Sequence, residues 1–324
     1  ACTIFEANDA LGGMFKFGIP GYRVPRDKLD AEIQRILDMG QVEVKLKTRV
    51  GTDITVDELE KDYDAILWGI GCQSGRGLPV DGWEGTSNCV SGVAFLKAFN
   101  EGRMKVTADK VICVGGGDTS IDVVSVARRL GKIDSLPKDQ LTEFVVGGYT
   151  AHDSAYAASR QGAEVTLTSL FERAEMTATE HEVEDALREG VRILDGVMPT
   201  EIVVNDEGRA TALKMAKCTI EDGRPTPVEG SEFEIECDLI VSAIGQGGDL
   251  RGLEELGNER NLMDVDKYFQ HSKKPGHFVA GDIIHPHLLT TAIGHAAVAA
   301  DSIERYLGGA DFGKRPKVDV HHFN

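Results

Sequence analysis

The sequence predicts an α/β protein made of two Rossmann-like domains, one inserted into the other. Short apolar strands alternate with helical patterns, several strands end on glycine, and a glycine cluster (Gly115, Gly116, Gly117) separates a buried strand from a helix. The 324 residues are 41% hydrophobic and 27% charged, which leaves apolar surface for two cores.

Residues 1–7 (ACTIFEA) read as a parallel strand leaving the core, with an acid near its end. A helix over 26–40 carries Leu29, Ile33, Ile36 and Leu37 at helical spacing and stops at Gly40. Residues 42–47 alternate as a strand, and 63–71 (YDAILWGIG) form a buried strand ending in glycines. A helix over 91–101, a strand over 110–115 and a helix over 119–130 follow. Beyond them come a strand at 164–170 and a helix at 180–189. The segments 202–204, 212–218 and 233–236 form a short antiparallel meander. Strands at 238–244 and 277–280 end on Gly245 and on Gly281-Asp282, and 290–307 is a long Ala-rich helix. Residues 131–162 fit this alternation poorly, since such connections usually take about two to six residues. A short helix around 151–160 is expected there. The segment 312–324 is polar and reads as a tail.

The formal net charge of −18 repels a phosphate backbone, so nucleic acid is not an expected partner; a basic redox partner is compatible with it, and solubility alone also accounts for the charge. The six cysteines, at 2, 72, 89, 113, 218 and 237, form no CxxC pair, so the usual zinc, iron–sulfur and dithiol spacings are absent from this chain. They read as buried thiols in a reducing compartment, which places the protein in the cytoplasm. The most apolar stretch, 279–300, is interrupted by Asp282, His285, Pro286 and His287 and falls short of the ~18 apolar residues of a membrane helix. Ala1 lies inside a strand pattern, so the N-terminus of the natural protein is expected upstream. His285-Pro286-His287 lacks a free acid or cysteine nearby and reads as loop or cofactor-shell histidines, with no metal.

The strongest local signal is 111–122 (VICVGGGDTSID). Glycines let the backbone turn tightly and approach a pyrophosphate, whose charge sits on free N–H groups at the helix start. Gly115, Gly116, Gly117, Asp118 and Thr119 are therefore candidate dinucleotide contacts. Ser120 takes the place of the usual third glycine and is small enough for close helix–strand packing. The next strand runs into Phe171-Glu172-Arg173. An acid there favours a free ribose 2′-hydroxyl and an arginine favours a 2′-phosphate, so NADH and NADPH both stay open, with Arg173 a candidate contact. Glu6 also ends an apolar strand. Such an acid normally follows a glycine loop by about 20 residues, which puts that loop upstream of Ala1.

Glu6-Ala7 with Gly12-Gly13-Met14-Phe15-Lys16-Phe17-Gly18-Ile19-Pro20, the stretch from Asp64 through Gly82, Val114 to Asp122, Asp238 to Gln246, and Phe278 to Ala292 occur in one order. Together these five motifs resemble the glutamate synthase small-subunit family of FAD- and NAD(P)H-dependent oxidoreductases, across almost the whole chain. The chain departs from that family in lacking the first glycine loop and the N-terminal cysteine clusters, in Glu172-Arg173 where the family has paired arginines, and in the 131–162 insertion.

The resemblance implies an FAD domain at 1–106 and 246–324, incomplete at its first glycine loop, and an NAD(P)H domain at 107–245. It implies that Glu6 holds the FAD ribose, that Gly13, Met14 and Gly18 line the flavin, and that Val50 meets the adenine end. Gly69, Gly71 and Gly245 would pass close to cofactor. Gly281 and Asp282 would meet the ribityl or pyrophosphate region, and the N–H groups of Thr291 and Ala292 would face the flavin. It further implies hydride transfer from NAD(P)H to FAD and onward electron transfer to iron–sulfur clusters in a missing N-terminal region or a partner subunit. The cofactors carry that chemistry, so no side chain is named as catalytic. The alternative function is a non-catalytic nucleotide-binding or assembly module of a larger redox complex. The fragment is expected to be able to self-associate, because a Rossmann sheet without its first strand exposes a central edge.

Overall fold

The computed structural model describes residues 2–103, 108–130, 163–221 and 223–313. Its described residues pack as two units, one drawn from Ala1–Leu11, Gly40–Ser74 and Gln246–Asn324, the other from Gly12–Met39 and Gly75–Gly245. Elements are numbered along the chain. The two-residue strands β4 (Ser74–Gly75) and β14 (Gln246–Gly247) lie where the chain passes between units.

The second unit is built on a five-stranded parallel sheet in the order β5 (Cys89–Ser91), β13 (Leu239–Ser242), β6 (Lys110–Val114), β7 (Glu164–Thr168) and β8 (Arg192–Leu194). β6 reads KVICV without alternation because both of its faces are covered. On one face α4 (Gly92–Asn100), α5 (Asp118–Leu130) and α6 (Glu180–Arg188) bury Phe95, Ile121, Val124, Ala127 and Val183 against Val111, Cys113, Val165 and Leu167. On the other face Ile112, Val114 and Ile240 pack with Leu213 and Met215 of an antiparallel sheet. That sheet contains β9 (Val197–Val204), β10 (Ala210–Glu221), β11 (Arg224–Pro227) and β12 (Phe233–Glu236), with β10 bonded to the other three. It is the meander expected over 202–236, with longer strands.

The segment containing α1 (Gly13–Phe17) and α2 (Arg26–Asp38) packs with this second unit. One reason is Asn100 at the end of α4, whose buried amide donates to the Phe17 and Ile19 carbonyls at 3.0 and 3.1 Å. The compact units therefore run differently from the expected division at 106/107. Residues 12–39 and the described part of 75–106 join the strands and helices around β6.

In the first unit β1 (Cys2–Phe5) runs parallel to β2 (Val42–Lys45), and β3 (Ile66–Trp68) runs parallel to β15 (His277–Val279). Among the described residues the two pairs remain separate. Trp68, Val279, Leu256, Met263 and Ile283 form the core with α3 (Val56–Asp62). The Trp68 indole donates to His277 Nδ1 at 3.0 Å, and His277 Nε2 lies 3.2 Å from Glu60 of α3. Burial holds His277 below its ordinary pKa, against the pull of Glu60. The long C-terminal helix is α7 (Leu289–Leu307).

α3 is not among the elements expected from apolar spacing, but its start carries a local signal. Thr55 and Glu58 form a capping box, with Glu58 N–H to Thr55 Oγ1 at 3.2 Å and Thr55 N–H to Glu58 Oε2 at 2.8 Å. β5, β8 and β11 are short edge pieces without a period to read. The expected helix at 151–160 lies outside the described residues. No helix among the described residues is long and apolar enough to cross a membrane. All six cysteines are free, and burial pushes the thiols of Cys89 and Cys237 up to about 11 and about 12.

Asn88 ties the two sheets of the second unit together. Its buried amide donates to the Ala210 and Asp238 carbonyls at 2.8 and 2.7 Å and accepts from the Ala210 N–H at 2.7 Å. Asn88→Ala strands these groups away from water and is expected to cost about 2 kcal/mol or more, read as a lower denaturation midpoint. Unchanged stability would mean that the sheets are joined elsewhere.

Candidate functional site

The β6–α5 turn is shaped by what lies around its glycines. Gly115 has φ of 151°, and a Cβ there would sit 2.5 Å from the Ala243 carbonyl oxygen at the end of β13. A Cβ on Gly116 would lie 2.8 Å from Ser169 Oγ, and one on Gly117 would lie 3.2 Å from Thr177 Oγ1. The wall opposite the loop is thus the stretch 169–178, which also donates its Ala178 N–H to the Gly116 carbonyl at 3.1 Å. Ser120 is fully buried, and its hydroxyl donates to the Gly117 carbonyl at 2.6 Å, closing the first turn of α5. Among the described residues no hydrogen bond occupies the N–H groups of Gly116, Gly117 and Asp118. A cradle without side chains, open donors and the positive end of a 13-residue helix fit a pyrophosphate.

The turn brings Gly115, Gly116, Gly117, Asp118 and Thr119 together with Gly245, which lies two residues beyond Ala243 at φ 122° and accepts the Arg76 N–H at 3.0 Å. Arg173 begins a single 3-10 turn on the facing wall. Its N–H donates to Asp195 at 3.0 Å, and its side chain and that of Glu172 are both exposed.

Carboxyls crowd the first turns of α5. Asp118 is held above the ordinary carboxylate range by partial burial and by Glu182, with Arg23 opposing. Asp122, one turn further on, is buried and paired with Arg23 at 2.6 Å. Burial nonetheless pushes Asp122 up to about 6; Arg23 works against the shift, and Glu182 and Asp118 add to it.

Also in the second unit, Gly13 begins α1 at φ 50° with open space beside it, and Met14 follows. Gly18 closes that helix, and a Cβ on it would strike the Met14 thioether.

The first unit holds the other candidates. Glu6 follows β1 and is half-buried, and its Oε1 accepts from the Asn8 N–H and side-chain amide at 2.8 Å each. Val50 packs against the core beside the Gly51–Gly252 backbone contact. Gly69 and Gly71 follow β3, the first with open space around it and the second at φ 62°. Gly281 at φ 81° leads to Asp282, whose carboxylate accepts the His287 N–H at 3.3 Å. The N–H groups of Thr291 and Ala292 already donate to the Leu288 carbonyl at 2.9 and 3.2 Å. Among the described residues the N–H groups of Leu289 and Thr290, at the start of a helix without a side-chain cap, have no acceptor; they precede the residues the sequence pointed to. Glycine-lined backbone, a flanking carboxylate at Glu6 and an uncapped 19-residue helix fit a second dinucleotide. His285 and His287 are exposed, and His287 bonds Thr291 at 2.9 Å. Among the described residues no three potential ligands converge on a metal position.

The pyridine nucleotide-disulphide oxidoreductase family model matches residues 133–302, more than half of the chain. The NADP(+)-dependent formate dehydrogenase subunit beta of Moorella thermoacetica is 36% identical over 317 residues, covering 94% of this chain and 40% of that protein. The glutamate synthase [NADPH] small chain of Mycobacterium tuberculosis is 30% identical over 326 residues, covering 95% of this chain and 62% of that one. The chain thus spans about two-fifths to three-fifths of these relatives. Among solved structures, FprA from M. tuberculosis in complex with NADPH shares the fold at a TM-score of 0.74 and 14% identity, over 97% of this chain and 80% of that one.

Two substitutions test the glycine cradle. Gly115→Ala is expected to lower stability by more than about 1 kcal/mol, because both φ and the Ala243 carbonyl oppose it. Gly69→Ala meets nothing within 4 Å and should stay within about 0.5 kcal/mol. Equal effects in chemical denaturation would contradict the close approach. A third substitution tests Asp122. Between pH 3.8, the ordinary value, and about 6 the folded chain holds a proton that the unfolded chain has released. This group's contribution to stability therefore falls as pH rises through that window. Asp122→Asn should flatten that fall in melting curves, and an unaltered slope would show that Asp122 is not the titrating group.

Proposed function

This chain belongs to the pyridine nucleotide-disulphide oxidoreductase family, and from that premise we propose that it is the NAD(P)H- and FAD-binding electron-input module of a larger oxidoreductase. The single observation that carries the reading is the Gly115–Gly117 turn, where three positions without side chains and three open N–H groups meet the start of α5. Similarity to an NADP(+)-dependent formate dehydrogenase subunit and to a glutamate synthase small chain supports it. The electron acceptor in this proposal is an iron–sulfur domain or partner subunit outside the chain, as in a glutamate synthase small-subunit-like role, in the cytoplasm.

A bound flavin would supply two-electron acceptance from the nicotinamide and one-electron release to such an acceptor. The chain's own part is binding and orientation. Gly116, Gly117 and Asp118 offer N–H groups to the nicotinamide dinucleotide pyrophosphate, while Ser169 and Thr177 wall the loop. Glu6 offers a carboxylate to the flavin ribose, already oriented by Asn8, and Gly281 with Asp282 lets backbone approach the second pyrophosphate. Leu289 and Thr290 aim open N–H groups outward from the start of α7, where they would favour negative charge on a reduced ring. Gly13, Met14, Gly18, Val50, Gly69, Gly71, Gly245, Thr291 and Ala292 would line the two cofactors. Arg173 and Glu172 compete at the adenosine ribose, so NADH and NADPH are both candidate donors.

The test is oxidation of NADH and of NADPH by the flavin-loaded full-length protein with an artificial dye acceptor. Turnover is expected, and Gly116→Val should raise the nucleotide KM at least about tenfold with a smaller effect on kcat, since it removes uniform binding. Bound flavin without turnover would overturn the reading and favour a non-catalytic nucleotide-binding module.

A further inference from the structure

Arg23, in the turn between α1 and α2, finds its guanidinium partners among the described residues far along the chain. One arm donates to Asp122 of α5 at 2.6 Å and the other to Glu182 of α6. Both partners belong to segments that build the glycine loop. Asp122 lies one turn into the helix that begins at Asp118, and Glu182 follows the Thr177–Ala178 wall that meets the Gly116 carbonyl.

The same segment is held at one further point beside Arg23 and is braced from within. The Arg129 guanidinium lies 4.4 Å from the centre of the Tyr22 ring and is itself fixed by a two-pronged bond to Glu189 at 2.9 and 2.7 Å. Arg26 donates to the Phe15, Val24 and Ile19 carbonyls at 2.8, 2.9 and 2.6 Å, which makes the turn internally stiff. A stiff segment fastened to the loop's own helix follows that helix when it moves.

Asp122 is buried, whereas the Arg23 side chain stays about one-third exposed. A planar guanidinium that spans carboxylates on two different helices fixes direction as well as charge, so what the contact adds is a set geometry.

We propose that Arg23 is a positioning residue that couples the 13–18 segment to the glycine loop, so that a nicotinamide dinucleotide filling the loop also orders 13–24. The coupling half of this inference rests on the proposed function; the positioning half does not. Coupling of this kind is reciprocal, so any ligand of 13–18 tightens nucleotide binding by the same factor.

Hydrogen exchange on the full chain tests both halves, without ligand and with saturating NADH or NADPH. Without ligand, amides in 13–24 should exchange at least about tenfold faster in Arg23→Met than in the parent, with β6 unchanged and Arg23→Lys in between. With nucleotide, exchange should slow at Gly116, Gly117 and Asp118 in both proteins, but across 13–24 only in the parent. Equal ligand-free exchange in 13–24 would overturn the positioning role, and equal slowing there with nucleotide would overturn the coupling. If neither nucleotide slows the loop of the parent, the nucleotide reading and the coupling fall together, and the ligand-free comparison still decides the positioning role. Should Arg23→Met not fold, Glu182→Gln removes one arm only and should loosen 13–24 by a smaller factor. No loosening would count against the clamp.

Discussion

The missing side chain at Gly115 is the constraint on which the second unit depends. β6 and β13 run side by side in register, and the Ala243 N–H donates to the Val114 carbonyl at 2.8 Å just before the chain turns. The Ala243 carbonyl then occupies the place a Cβ would take. The chain can turn into α5 within three residues only because nothing projects from them. The same tightness puts the start of α5 directly beyond the strand, with Ser120 buried against the sheet and its first N–H groups facing out. Packing and ligand recognition thus share one cause.

The electrostatics around that turn work in two directions. The helix start and its open N–H groups favour an anion, while Asp118, Asp122 and Glu182 surround them with carboxyls. Arg23 offsets part of this charge, and burial of Asp122 takes up a proton near pH 6. The arrangement favours donors fixed by backbone over a cationic side chain, and it leaves Arg173, on the facing wall, as an exposed cation with the exposed carboxylate of Glu172 beside it.

Much of this was legible in the sequence because it is local. Glycines ending apolar strands, the Gly115–Gly117 cluster and the position of Glu6 all follow from short-range backbone needs. The segment that carries Gly13 and Gly18 was different. Arg23 reaches partners 99 and 159 residues away, and Asn100 reaches 83 residues back to Phe17. No periodicity in 12–39 announces those contacts, so the unit that this segment joins could not be read from it. The start of α7 lies one residue before the expected 290, and its open N–H groups lie two residues before Thr291 and Ala292, for a related reason. Leu288 lies just before the helix and takes the N–H groups of Thr291 and Ala292, which only the turn geometry reveals.

The most direct test of a nicotinamide dinucleotide at the β6–α5 turn is an amide-resolved NMR titration of the full chain with NADH and NADPH. The account predicts that the largest saturable shifts fall on the Gly116, Gly117 and Asp118 amides, with smaller ones at Ser169 and Thr177. Saturable binding that leaves those three amides unmoved, or no binding of either nucleotide, would contradict it.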